Sequence, residues 1–167
     1  MNTGFFGKYR GTVKDNKDLE FSGRLKVNVP AVMGDKEDWA LPCVPYAAMQ
    51  AGTFIVPPVG ADVWVEFEGG DIDQPIWVGG FYTLGTAPAV ALAVPPGTEE
   101  VVIQVGTNNT ISIKDLAGPL GGILLKSGNA TLMINDTGIT LTDGSGGIFT
   151  MLSGIVSINP PNLVVLK

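Results

Sequence analysis

Histidine is absent from this 167-residue chain, and cysteine occurs once, as Cys43. The first absence removes imidazole as a metal ligand and as the usual base beside a nucleophile. The second excludes an internal disulfide and gives no support to a disulfide-stapled scaffold. Basic residues are scarce: ten Lys and Arg stand against sixteen Asp and Glu, a formal net charge of −6. A chain of that sign lacks the counterion-releasing basic face that phosphate backbones require. The start MNTGFFGKYR has no apolar run long enough for a signal peptide or membrane span, so synthesis and folding in the cytoplasm are expected. No long helical periodicity occurs, and no phosphate-cradling GxxxxGK(S/T) segment is found.

What is present is apolar content of 45%, ample for a core, punctuated by 23 Gly and 12 Pro. That texture predicts many short strands and frequent turns. The stretch around which the chain is organised is VPPVGADVWVEFEGGDIDQPIWVGGFY, residues 56–82. Val63, Val65 and Phe67 alternate with Asp62, Trp64 and Glu66, the period of a half-buried strand. Gly69, Gly70, Asp71 and Asp73 supply turn chemistry, and Pro75 keeps the return strand, residues 76–81, from starting earlier. Upstream, residues 5–15 form a first strand on the alternation of Tyr9, Gly11 and Val13. Residues 24–29 form a second, with Leu25, Val27 and Val29 on one face and Arg24, Lys26 and Asn28 on the other. Pro30 ends it. Residues 39–44 and 52–56 are shorter candidate strands. Five or six strands in about 80 residues, with no helices, predict a small barrel of the oligonucleotide/oligosaccharide-binding (OB) size.

Residues 84–96, LGTAPAVALAVPP, carry no charge. They read either as a linker or as an extended segment packed on a neighbouring subunit. Beyond residue 101 the texture changes. Apolar pairs recur as Ile111/Ile113, Leu132/Ile134, Ile139/Leu141 and Val156/Ile158, separated by turns such as Gly128-Asn129 and Gly146-Gly147. The outward positions are mostly Thr, Ser and Asn. Each strand offers only two or three inward residues, too few for one chain to offset its conformational entropy. Three chains could close three such faces into one dry core. A lone-chain sandwich or solenoid is the competing arrangement.

The stretches GKYRGTVKDN, GRLKVNVP, DWALPCVPYA, VPPVGADVWVEFEGGDIDQPIWVGGFY and GITLTDGSGG resemble the spike proteins of contractile injection machines. These are phage baseplate assembly protein V, the valine-glycine repeat protein G spikes of type VI secretion, and the spikes of extracellular injection particles. The resemblance implies an all-β chain: an OB-fold barrel over residues 1–84, a linker over 85–100, and a needle over 101–167 that forms an intertwined trimeric β-helix. It further implies a homotrimer docked on a baseplate hub protein at the barrel end, with the needle meeting the target membrane transiently. Assembly in the cytoplasm, within a tail-like particle that can be released from the cell, belongs to the same expectation. Some such spikes carry a lysozyme domain between barrel and needle, for which residues 84–96 leave no room. Others fold their tip around iron held by His-x-His, which a chain without histidine cannot do. The ending INPPNLVVLK fits a spike capped by a separate conical protein with Pro-Ala-Ala-Arg repeats (PAAR), through Leu163, Val164, Val165 and Leu166.

Other candidate sites weigh less. Asp71 and Asp73 could hold a cation, but two carboxylates in a Gly-rich turn are more simply a turn. Glu66 and Glu68 could form an acid/base pair, but no pocket is evident. Trp64 and Trp77, near each other across the hairpin, form either core or intersubunit packing or a hub-docking face. Cys43 reads as a small buried hydrophobe. No catalytic residue, metal or cofactor is expected, and the chain reads as a non-enzymatic structural spike. The rival reading is an OB module for nucleic acid or glycan with an oligomerising tail. At physiological salt the protein should show no appreciable binding of single-stranded DNA or RNA. A fluorescence-anisotropy titration with micromolar, salt-sensitive binding would favour the rival.

Overall fold

The computed structural model describes residues 4–159 and 163–165. The chain divides into two compact units, Met1–Gly85 and Thr86–Lys167.

The first unit is built from β1 (Tyr9–Asp15), β2 (Leu25–Asn28), a one-turn helix α1 (Pro30–Met33), β3 (Glu37–Pro42), the two-residue bridges β4 (Ala47–Ala48) and β5 (Ala51–Gly52), β6 (Asp62–Phe67) and β7 (Pro75–Gly80). Five of these close into a barrel in the order β1-β2-β3-β7-β6, with β6 paired back onto β1 and β3 parallel to β7. This is the OB arrangement that the strand count suggested. Alternation on β6 sends Val63, Val65 and Phe67 inward, where they meet Val13, Leu25, Val27 and Ala40 in a sealed core. Gly11 sits where closure leaves little room: a Cβ there would lie 3.0 Å from the Val65 side chain and 3.1 Å from the Asn28 carbonyl oxygen.

Several details differ from the alternation read in the sequence. Asn28, expected outward, is buried, and its Nδ2 donates to the carbonyls of Gly34 (2.8 Å) and Lys36 (2.7 Å). It thereby satisfies backbone groups freed where α1 turns the chain into β3. Residues 53–56 form no strand; beside them lie the β4–β5 bridge and a bond from the Thr53 N–H to the Tyr46 carbonyl at 2.9 Å. Cys43 is exposed rather than buried. Its backbone N–H bonds the Trp77 carbonyl at 2.9 Å just past the end of β3, where inward alternation has ceased.

One loop of the barrel is knotted around a single carboxylate. Asp18 accepts N–H groups from Glu20, Ser22 and Arg24, the Ser22 hydroxyl, and the Arg24 guanidinium at 2.9 Å. Burial works against its charge, but the Arg24 bonds and the neighbouring N–H groups outweigh that and hold the carboxyl well below the usual range.

The second unit is an antiparallel meander of β8 (Glu100–Val105), β9 (Asn109–Lys114), β10 (Gly122–Ser127), β11 (Ala130–Asn135), β12 (Gly138–Thr142), β13 (Ile148–Leu152), β14 (Ile155–Ile158) and β15 (Leu163–Val165). All eight form one sheet in which each strand pairs with its sequence neighbours. The segment before β8 is tied to its own sheet. Lys114 donates to the Val90 carbonyl and lies 3.4 Å from the Glu100 carboxylate, and the Asp115 N–H bonds the Glu99 carbonyl at 2.9 Å. On β9 this reverses an expectation: the polar positions Thr110, Ser112 and Lys114 are the buried ones.

A pH test follows from the Asp18 knot. A folded-state pKa below the ordinary value stabilises the fold above the ordinary carboxylate range, and the gain is lost as pH falls through that range. Asp18→Asn should therefore lower the melting temperature at pH 7, and the gap to wild type should narrow below about pH 4. Melts giving a gap that is constant or wider in acid would contradict this account.

Candidate functional site

The second unit has an open apolar face. Alternation on each strand and the cross-strand register combine to line up side chains across the sheet. Ile103 pairs with Ile111, Ile111 with Leu125, Leu125 with Leu132, Leu132 with Leu141, Leu141 with Phe149, and Phe149 with Ile158. A second column runs Val101, Ile113, Ile123, Ile134, Ile139, Met151 and Val156. Both columns stand on one face, because members of each pair are directly opposite and 111/113 or 139/141 are two residues apart. Gly122, at the foot of this array, lets β10 approach β11: a Cβ there would fall 2.1 Å from the Ile134 carbonyl oxygen.

Every one of the eight residues singled out in the sequence lies in these columns. Ile111, Ile113, Ile134, Leu141 and Ile158 are exposed, and Leu132, Ile139 and Val156 are half-buried. Val101, Ile103, Ile123, Leu125, Phe149 and Met151 belong to the same array and escaped the sequence reading. At Ile123-Leu124-Leu125 a third apolar residue hides the alternation, and the run VVIQV likewise has Val102 between Val101 and Ile103. The fully buried hydrophobic cluster of the described residues lies wholly in the barrel. Among the described residues of the second unit, the sheet thus has a continuous apolar face with no second layer over it.

Trp64 and Trp77 do not share a face. A register shift between Trp64 and Val65 pairs Trp64 with Gly79 and Val65 with Trp77. Trp77 therefore points inward with Val65, 5% exposed, its Nε1 donating to the Gly23 carbonyl at 3.1 Å. It is a core residue, not part of a docking face. Trp64 stands outside, 4.7 Å from the Phe81 ring, with the Arg10 guanidinium 5.4 Å from its centroid. Leu163, Val164 and Val165 form β15, paired with β14; Leu166 lies outside the described residues.

The carboxylates are committed to structure. Asp71 Oδ1 accepts the Asp73 N–H at 3.0 Å, and Asp73 binds the Lys36 ammonium at 2.6 Å. The Asp73 and then the Asp38 carboxylates raise the Lys36 pKa. Glu66 pairs with Lys8, and Glu68 lies in the turn after β6. Among the described residues, no group of three or more His, Cys, Asp or Glu could hold a metal ion.

A closed barrel followed by a one-sided sheet defines a self-assembling β-protein, since the second unit carries its core-forming residues on an uncovered face. Residues 9–82 match the family described as the type VI secretion system/phage-baseplate injector OB domain. Residues 100–164 match the phage baseplate V C-terminal trimerisation domain. The chain belongs to this family of baseplate V and type VI spike proteins, and its sheet is the trimerisation domain. A stretch of 107 residues, 58% of the chain, is 34% identical to type VI secretion system spike protein VgrG3 of Vibrio cholerae serotype O1 (strain ATCC 39315 / El Tor Inaba N16961). The match spans only 10% of that relative's length.

Covering the exposed half of one such side chain is worth about 1 kcal/mol. Over both columns of three chains that sums to tens of kcal/mol before the cost of association. Replacing Ile139 and Leu141 with Asp would put six carboxylates per trimer into that face, at several kcal/mol for each unpaired buried charge. The double variant should lose the trimer by native mass spectrometry. A trimer with unchanged melting would show that these side chains do not face the shared core.

Proposed function

We propose that this chain is the non-enzymatic central spike of a contractile injection machine, working as a homotrimer without a cofactor. The observation that carries the reading is the pair of apolar columns crossing β8 to β14 of a trimerisation domain. Three such faces turned to a common axis make a triangular β-helix needle. The ladder of each sheet is made within one chain, so the copies are joined by the dry core between sheets. Force along the axis then has to shear packed side chains and many backbone ladders at once. Eight stacked strands at about 4.8 Å give a shaft on the order of 35–40 Å long. Sheath contraction elsewhere in the particle supplies the force, and the needle concentrates it on a small area of target membrane.

The barrel end docks on a baseplate hub protein, for which Trp64 with Phe81 and Arg10 offers an outward aromatic contact. The C-terminal end takes a separate PAAR-type cap. A triangular sheet assembly that stops abruptly exposes unpaired backbone groups and open core at its end. The residues of β15 lie at that end and are apolar, so a partner with a matching three-sided base would cover them. Deleting residues 162–167 should abolish cap capture while leaving the trimer and hub binding intact. Pull-downs of the truncated spike against the cap and hub proteins of its own particle test this. Retained cap binding would refute the C-terminal cap site.

A further inference from the structure

The outer face of the barrel fixes a cation that no carboxylate of its own unit neutralises. Four barrel cations are spent within the chain: Lys8 on Glu66, Arg24 on Asp18 and Glu20, Lys26 on Glu37, and Lys36 on Asp38 and Asp73. Among the described residues Arg10 has no such partner, although Asp62 and Glu66 flank Trp64 on the same face of β6. Arg10 is held by aromatic rings instead. It stands directly opposite Trp64 in the β1–β6 register. Val63 and Val65, on either side of Trp64, are buried, so Trp64 and Arg10 take the outer face. The guanidinium carbon lies 5.4 Å from the centroid of the Trp64 ring and 4.9 Å from that of Phe81. The sequence builds this platform. The register shift beside Trp64 sets it against Gly79, where even a Cβ would meet nothing within 4 Å. Phe81, just past the end of β7, lays its ring 4.7 Å from that of Trp64, and its N–H bonds the Asp62 carbonyl at 3.3 Å. Two half-buried rings thus orient an exposed guanidinium.

We propose that Arg10 takes a carboxylate of the hub protein, an Asp or Glu side chain, with Trp64 and Phe81 as the apolar wall that the partner covers. The inference rests on the hub-docking reading and gives that contact its chemistry. A guanidinium stacked on rings keeps its N–H edge free, and its planar fork of donors matches a carboxylate through parallel paired bonds. Covering the rings removes water from the pair and strengthens it. A phosphate fits the same fork, but nucleic acids and anionic membranes present phosphates as dense negative charge, which a chain of net charge −6 repels. A lone carboxylate on a protein surface meets far less of that repulsion. Arg and Trp are also among the residues that most often carry the binding energy of a protein interface.

Biolayer interferometry of the full-length spike on the immobilised hub protein of its own particle tests this, with native mass and melting temperature as controls on the fold. Arg10→Met should keep both controls at the wild-type values, yet weaken hub binding by more than about tenfold. Arg10→Lys, which restores the charge without the fork, should recover only part of that loss. Changing the partner Asp or Glu of the hub to Asn or Gln should reproduce the Arg10→Met loss, and combining the two substitutions should add little. Hub binding by Arg10→Met at wild-type strength overturns the proposal while leaving hub docking in place. Arg10-dependent capture of the spike on phosphatidylglycerol vesicles, with hub binding insensitive to Arg10→Met, also overturns it and gives the site to a membrane. A wild-type spike that does not bind the hub sinks the docking reading, and this contact with it.

Discussion

The second unit is governed by one constraint: a single sheet cannot bury both of its faces by itself. Its hydrogen bonds run internally along the meander, but none of the unit's own described residues faces its apolar columns. Hydrophobic burial is the dominant favourable term in folding, which is why the proposed trimer supplies the missing layer. The rest of the unit is consistent with this division. The opposite face is polar where it is buried, and on β9 it is held by Lys114, Glu100 and the Val90 carbonyl. On the proposed reading, assembly completes this unit's tertiary structure.

The barrel obeys the opposite rule. Closure of β6 onto β1 removes its edges and seals a core of Val13, Leu25, Val27, Val63 and Val65 within one chain. Its loops can then be fixed by polar bonds, as the Asp18 knot shows. A carboxylate that gathers three backbone N–H groups and a guanidinium fixes a loop more firmly than apolar contacts could, because those bonds are directional. One chain thus joins a self-sufficient module to one that is incomplete alone.

Much of this was legible in the sequence, and the failures have physical reasons. Period-two alternation located β1, β2, β6 and eight residues that share one face of the second sheet. It failed where a strand is apolar on both faces, as at Ile123-Leu124-Leu125. It left Trp77 open between core, intersubunit packing and a docking face, because a one-residue register shift beside Trp64 is invisible in composition yet decides which face a side chain takes. Asn28 was misplaced for a related reason: its burial is set by the two carbonyls it satisfies, which are known only once α1 is formed. The strand expected near residues 52–56 was read from apolar side chains that in fact stand in solvent. Sequence pattern reports which side chains are apolar, while the fold decides what covers them.

The meander pairs each strand only with its neighbours in sequence. That makes the sheet modular along its length. Removing one complete hairpin leaves every remaining strand with its direction, its register and its place in both apolar columns. Each hairpin gained or lost would change the span by about 9.6 Å. The turn sequences and the two-residue alternation are all that a new hairpin needs to supply. The length of such a sheet can therefore be reset in discrete steps by duplication or deletion of short segments, with both apolar columns kept.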